Sequence, residues 1–375
     1  MLSAGSVSRQ SKKIISLAVL IFWTATILYS GQTQTQTNKT TNPGTQGPVG
    51  GPPPPPPKSQ KDKGQDKKKG GEDDQAIELS SDLVTVPFSV TDKRNAYIND
   101  LKKEDIRVLE DNKPQQIFSL VHETDLPLTM VLLMDTSYSQ QLTIPEQRDA
   151  ALKFFRSVMK PNKDTAAIVT FEGESDLIQK LTSNTDRLTR ALDSVIVNLP
   201  AGAVGTPPIN GSSRSGSTAI YDAIYATVDD LLAHEAGRRV IILLTDGDEN
   251  SSRIKMSEAI ERAWKSEVQI YAIGVAGEMR DPGGYGIYHT NVQRGTLNKI
   301  CEETGGRLFV PTREADLYSA FRQLEDDLRQ QYILSYSPTN NKHDGTFRSI
   351  KVEVATRNDL QVRHRRGYFA QSQKG

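Results

Sequence analysis

Four short, continuous apolar runs constrain the fold of this chain more than any other feature. They are "LTMVLLM" from Leu128, "AAIVTF" from Ala166, "VIILLT" from Val240 and "VQIYAIGV" from Val268. Helical periods lie between them, at Ile144, Ala151, Phe155 and Val158 and at Ile220, Ile224, Val228 and Leu231. Continuous apolar runs indicate strands that are covered on both faces, and intervening helices indicate right-handed crossovers. We therefore predict an α/β domain over residues 126–312, with a doubly wound, mostly parallel sheet.

The segments on either side of this region carry strand patterns. Residues 81–125 alternate apolar and polar side chains, and residues 313–375 contain a helical stripe followed by further alternating strands. The stripe consists of Leu317, Phe321, Leu324 and Leu328. Each β region is too small for a core of its own. We expect the two to form one small β domain into which the α/β domain is inserted.

The N-terminal part of the chain lacks the pattern of a folded domain. Arg9, Lys12 and Lys13 precede an apolar stretch at 14–28, which predicts that residues 1–31 are a signal peptide or a retained membrane anchor. In both cases the rest of the chain is exported, to the periplasm, the cell surface or the medium. Residues 32–80 are rich in Thr and Gln, Pro and Lys, and we interpret them as a disordered linker. Binding of phosphate or anionic lipid by the lysine run is the alternative.

Charge and cysteine content exclude several classes of function. The chain has 46 basic and 46 acidic residues, so no global field attracts it to nucleic acid. Cys301 is the only cysteine, which excludes an intramolecular disulfide framework and a multi-cysteine zinc site. We expect Cys301 to be a small buried apolar residue.

Oxygen-bearing side chains follow two of the predicted strands. Asp135, Ser137 and Ser139 come directly after the first apolar run, Asp246 follows the third, and Thr218 stands at a predicted helix start between them. Ligands of doubly wound sheets bind beyond the carboxyl ends of the strands, so these side chains should converge there. Two carboxylates and three hydroxyls suit one hard divalent cation, best Mg²⁺ or Mn²⁺, with a coordination position left open.

This constellation resembles the metal-ion-dependent adhesion site of the von Willebrand factor A (VWFA) domain. Asp135, Ser137, Ser139, Thr218 and Asp246 match all five of its positions, although the loop before Thr218 reads Ser-Arg-Ser-Gly-Ser where many A domains have paired glycines. With its flanks, the chain resembles a bacterial VWFA-related family often met in acidobacteria. The resemblance implies a non-enzymatic adhesion or binding module. Its metal is completed by an Asp or Glu of a protein partner, and the two aspartates reach the metal through water.

Other interpretations of the same residues remain open at this stage. Asp135 and Ser137, or Thr218, could cap helices, and Asp246 with Gly247 could form an ordinary turn. Residues 248–250 are expected to be a solvated loop, with a second cation site as the alternative. Two other functions are a Mg²⁺-dependent phosphoryl-transfer enzyme and an envelope-assembly component whose metal site is vestigial. Serine hydrolysis is disfavoured because the five histidines are scattered.

Overall fold

The computed structural model describes residues 83–122, 126–197, 217–281, 286–357 and 359–372. The signal or anchor segment and the linker, predicted at 1–31 and 32–80, lie outside these ranges. Within the described ranges no helix is both long enough and apolar enough to cross a membrane.

The described strands and helices follow the predicted order of regions. The N-terminal region contains β1 (Val84–Thr91), β2 (Ile106–Glu110) and β3 (Lys113–His122). The central region contains β4 (Leu128–Asp135), α1 (Ile144–Val158), β5 (Thr165–Phe171), β6 (Ser175–Thr182), α2 (Thr185–Ser194), α3 (Ile220–Thr227), β7 (Arg238–Thr245), α4 (Met256–Lys265), β8 (Val268–Gly274), β9 (Glu278–Arg280), β10 (Ile287–His289), α5 (Arg294–Thr304) and β11 (Leu308–Phe309). The C-terminal region contains α6 (Glu314–Arg329), β12 (Tyr332–Ser337), β13 (Phe347–Val354), β14 (Gln361–His364) and β15 (Gly367–Phe369).

The central region forms the predicted doubly wound sheet. Its strand order is β11-β8-β7-β4-β5-β6, and every neighbouring pair is parallel except β5 with β6. Side chains alternate along β4, so Leu132 and Met134 pack with α1, α2 and α6, whereas Val131 and Leu133 pack with α3, α4 and α5. Both faces are therefore covered, which is why the strands are continuous apolar runs. Cys301 lies fully buried in the second layer, and burial raises the pKa of its thiol.

Helix α6 belongs to this α/β core and not to the C-terminal β region with which the sequence analysis groups it. Leu317, Phe321, Leu324 and Leu328 are buried in the same cluster as α1 and α2, and the rings of Phe321 and Phe154 lie 5.1 Å apart. The apolar stripe shows that the helix is buried on one side, but it does not specify the covering surface.

The two flanking β regions form one antiparallel sheet, as predicted. Its strand order among the described residues is β14-β1-β12-β3-β2-β13-β15. Strand β12 lies between β1 and β3, so the two ends of the chain interleave. Val86, Phe88, Leu334 and Tyr336 are fully buried in the core that covers this sheet. The α/β region is thus inserted between two strands, β3 and β12, that are neighbours in the flanking sheet.

We predict that Leu324→Ala lowers the free energy of unfolding of the α/β region by about 2–5 kcal/mol, because it leaves a cavity between α6 and the sheet. Leu324 is fully buried. The exposed neighbour Arg322 provides the control, and Arg322→Ala should change stability by no more than about 0.5 kcal/mol. Urea unfolding followed by circular dichroism measures both. Equal stabilities of the two variants would contradict the placement of α6.

Candidate metal centre

The turn after β4 gathers the oxygens of the first motif. Asp135 ends the strand and is fully buried, and its Oδ1 accepts a 2.9 Å hydrogen bond from the backbone N–H of Ser137. The chain then forms a 3₁₀ turn at Tyr138–Gln140. The turn brings Ser139 Oγ to 3.0 Å from Ser137 Oγ. Two hydroxyls and a carboxylate therefore share one end of the central strand.

Asp246 lies at the end of the adjacent strand. β7 pairs with β4 in parallel, Met134 opposite Leu244, so the chain leaves both strands at the same edge. Asp246 is fully buried, and its Oδ1 accepts a 3.1 Å hydrogen bond from the N–H of Asp248. Thr245 links the two strand ends, because its hydroxyl donates to Asp135 Oδ2 at 2.5 Å. The same hydroxyl accepts a 3.0 Å hydrogen bond from the N–H of Gly247.

The two carboxylates lack a cationic side chain among the described residues. Burial raises the pKa of Asp135 to about 7, and the negative charge of Asp246 adds to the increase. Hydrogen bonds from Ser137 and Thr245 act in the opposite direction but do not offset burial. No ion pair between either aspartate and a basic group occurs in the described ranges. The folded chain thus holds buried negative charge without a protein counter-charge.

Thr218 is fixed to the loop that follows β7. Its backbone N–H donates to Asn250 Oδ1 at 2.8 Å, and its carbonyl accepts from the N–H of Asn250 at 3.1 Å. Its side chain is almost fully buried. The N-cap residue of α3 is Ala219, so the alternative interpretation of Thr218 as the helix cap is wrong. Ser137 precedes the 3₁₀ turn as its N-cap residue but makes no side-chain cap hydrogen bond, and the N-cap of α1 is Thr143.

Residues 248–250 form the predicted loop, in which Asp248 and Asn250 are exposed, but Glu249 and Asn250 also have structural roles. Glu249 Oε2 accepts hydrogen bonds from the N–H groups of Ile220 at 2.6 Å and Tyr221 at 3.3 Å, and so caps α3 from outside the helix. Asn250 positions Thr218. The absence of a polar N-cap side chain at Ala219 is the sequence signal that indicates an external cap.

Two residues beyond β8, Gly277 and Thr290, also line the site, and no sequence motif indicates them. The hydroxyl of Thr290 donates to Asp246 Oδ2 at 2.7 Å and accepts from the N–H of Gly277 at 2.7 Å. Gly277 packs against Ser139 so closely that a Cβ at this position would lie 2.6 Å from the Ser139 carbonyl oxygen. Thr290 is separated from Asp246 by 44 positions, and no local pattern indicates the pair.

The residues present fit a hard divalent cation. Across the described part of the chain, no three His, Cys, Asp or Glu side chains form a metal-binding group. The centre brings together two carboxylates with the hydroxyls of Ser137, Ser139, Thr245 and Thr290. These are oxygen donors of the kind that Mg²⁺ and Mn²⁺ prefer. A bound divalent cation would supply the positive charge that the two buried aspartates lack.

Comparison with known proteins identifies the central region. The sequence profile of the von Willebrand factor type A domain matches residues 129–323, more than half of the 375-residue chain. The profile match extends into α6, in agreement with the packing of that helix. A search among curated proteins finds no significant match.

The solved structures that match this chain have low sequence identity to it. An aerotolerance-related membrane protein from Bacteroides fragilis is 17% identical over 53% of this chain and 98% of its own, with a TM-score of 0.41. A von Willebrand factor type A protein from Catenulispora acidiphila is 16% identical over 66% and 50%, with a TM-score of 0.42. Proximal thread matrix protein 1 from the mussel byssus, with a zinc-occupied MIDAS motif, is 19% identical over 57% and 48%, also at 0.42. On the extent of the profile match, this chain belongs to the von Willebrand factor type A domain family.

Proposed function

We propose that this chain is an exported binding module that holds one divalent cation, Mg²⁺ or Mn²⁺, and uses it to bind an acidic side chain of a protein partner. The proposed ligands are Asp135, Ser137, Ser139, Thr218 and Asp246. The observation that carries the proposal is the burial of Asp135 and Asp246 at neighbouring strand ends without a basic partner among the described residues. Two carboxylates neutralise a divalent ion, and the ion remains able to accept a further carboxylate from outside.

Each part of the site has a separate role in this proposal. Asp135 and Asp246 supply charge, with their orientations fixed by Thr245 and Thr290. The hydroxyls of Ser137 and Ser139, 3.0 Å apart, are neutral donors at the same point. When bound, the cation supplies the electrophile that attracts the partner's Asp or Glu. The contact is therefore selective for charge and geometry at once.

Family membership and the ligand set favour binding over catalysis. Von Willebrand factor A domains are in general interaction modules and not enzymes. An aspartyl phosphoryl-transfer site usually has a second carboxylate two residues after the nucleophile, and here that position is Ser137. A purely structural role with a vestigial site is less economical, because all five ligand positions keep oxygen-bearing side chains.

Export is part of the proposal and rests on the N-terminal sequence. We predict that a fusion of the full chain to a phosphatase that is active only after export gives an active enzyme, because Arg9, Lys12 and Lys13 precede the apolar stretch 14–28. Replacement of residues 1–31 by a start codon is the control and should abolish activity. N-terminal sequencing of the mature protein distinguishes a cleaved signal from a retained anchor. An inactive full-length fusion would contradict export.

We predict that Asp246→Asn abolishes measurable Mg²⁺ and Mn²⁺ binding, because the remaining carboxylate cannot neutralise the ion. Thr218→Ala removes a neutral ligand and should weaken metal binding by roughly tenfold. Isothermal titration calorimetry measures both. The matched control is Asp248→Asn, an exposed carboxylate in the same loop, which should leave affinity unchanged. Equal metal affinity in the Asp246 and Asp248 variants would contradict the proposed site.

The raised pKa of Asp135 generates a prediction on metal-free stability. The folded carboxyl titrates at about 7 and the unfolded one near 3.8, so the folded state holds a proton that the unfolded state releases. The stabilisation by this proton is complete below pH 4 and is lost as pH rises towards 7. In EDTA, the difference in the free energy of unfolding between Asp135→Asn and the natural chain should therefore change in favour of the variant by roughly 4 kcal/mol between pH 4 and pH 8.

Divalent metal should reverse this loss in the natural chain only. At a hundredfold excess over its dissociation constant, a bound ion adds about 2.7 kcal/mol to the free energy of unfolding. Asp135→Asn should gain little, since it lacks one of the two charges. Urea titrations at both pH values, with Mg²⁺ and with EDTA, measure the effect. A stability difference independent of both pH and metal would contradict the electrostatic argument.

A further inference from the structure

The β9–β10 hairpin is held directly against the turn that carries Ser137 and Ser139. The N–H of Leu142 donates to the carbonyl of Glu278 at 2.9 Å, and the N–H of Arg280 donates to Gln141 Oε1 at 3.0 Å. The hydroxyl of Tyr138 donates to the carbonyl of Arg280 at 2.6 Å. The position of the hairpin beside the candidate metal centre is therefore fixed by the same turn that carries Ser137 and Ser139.

One face of the hairpin continues the surface of the centre. Tyr288 pairs with Met279, and the N–H of Thr290 donates to the carbonyl of Gly277 at 2.9 Å, which extends the pairing towards the site. Side chains alternate across a strand, so Tyr288 projects on the same face as Thr290, and Met279 on the same face as Gly277. Thr290 bonds Asp246 and Gly277 contacts Ser139. The Met279–Tyr288 pair is thus the next part of the surface outward from the ligands.

The two faces of the hairpin differ in chemistry. Tyr288 is 56% exposed, and Met279 is partly buried beside it. The opposite face carries Ile287, which is also 56% exposed, and a polar contact between His289 and Glu278, whose Nδ1 and Oε1 lie 3.3 Å apart. Of the described hairpin residues, Met279 and Tyr288 are the apolar pair on the face that continues to Thr290 and Gly277, beside the candidate metal centre. Exposed aromatic side chains of this kind are enriched at protein interfaces and at their energetic centres.

We propose that the Met279–Tyr288 face selects the partner: the acidic residue that reaches the metal is accompanied by an apolar side chain that packs on Tyr288. Tyr288 is two positions from Thr290, about 7 Å along an extended strand. An extended partner segment has the same spacing between residues i and i+2. A partner segment that lies along β10, with its Asp or Glu at the metal beside Thr290, therefore places its apolar residue two positions from that acid. This inference rests on the proposed metal-dependent function and specifies the partner further.

The test uses a peptide library displayed on phage, with a fixed central Asp and randomised flanking positions, and the exported full chain in Mn²⁺ or in EDTA. We expect Mn²⁺-dependent peptides with apolar residues two positions from the Asp. Tyr288→Ser should weaken the selected peptides by about tenfold or more, whereas Tyr288→Phe should retain them. Ile287→Ser, on the opposite face, is the matched control and should retain binding. The affinity of all variants for Mn²⁺ alone should stay unchanged.

The outcomes separate this inference from the proposed function. Mn²⁺-dependent peptides without an apolar preference, or peptides that bind the Tyr288→Ser variant equally well, would overturn the role of the hairpin and leave metal-dependent binding intact. A loss of Mn²⁺ affinity in Tyr288→Ser would also overturn it, since the residue would then support the site and not the partner. Peptides that bind equally in EDTA, or no peptides at all, would overturn both proposals.

Discussion

Burial of two carboxylates at the ends of neighbouring strands is the constraint on which the functional part of the structure depends. Asp135 and Asp246 are both fully buried where β4 and β7 end, because parallel strands end at the same edge of a doubly wound sheet. Neutral hydroxyl and N–H donors fix their orientation but cannot cancel their charge. Desolvation therefore opposes ionisation of Asp135, and a bound cation would offset that cost. Under the proposed function, metal affinity and stability would consequently be linked.

The same carboxylates organise the loops at this edge. The loop after β7 bonds Asp246 through Asp248 and positions Thr218 through Asn250, while the segment after β10 bonds Asp246 through Thr290. Glycine is required where these loops approach closely. Gly247 has a φ of 83°, a conformation that residues with a Cβ rarely adopt, and any Cβ at Gly277 would collide with Ser139. Segments distant in sequence thus hold one another in place around the two acids.

Periodicity and strand ends were predictable from the sequence, whereas pairing across the chain was not. Continuous apolar runs are a local property, so they predict β4, β5, β7 and β8 and place Asp135 and Asp246 at one edge. The stripe of α6 predicts a buried face, but only tertiary packing decides that Phe321 meets Phe154. The bond between Thr290 and Asp246 joins positions 44 apart with no local signal. The insertion of β12 between β1 and β3 likewise results from long-range register.

The insertion of the α/β region determines which edge is available to a partner. β4 begins at Leu128, shortly after β3 ends at His122, and α6 ends at Arg329, shortly before β12 begins at Tyr332. Both connections to the flanking sheet therefore lie at the starting edge of β4. Asp135 stands at the other end of that strand, about 23 Å away at the rise of an extended strand. The flanking sheet therefore lies at the edge opposite the candidate metal centre.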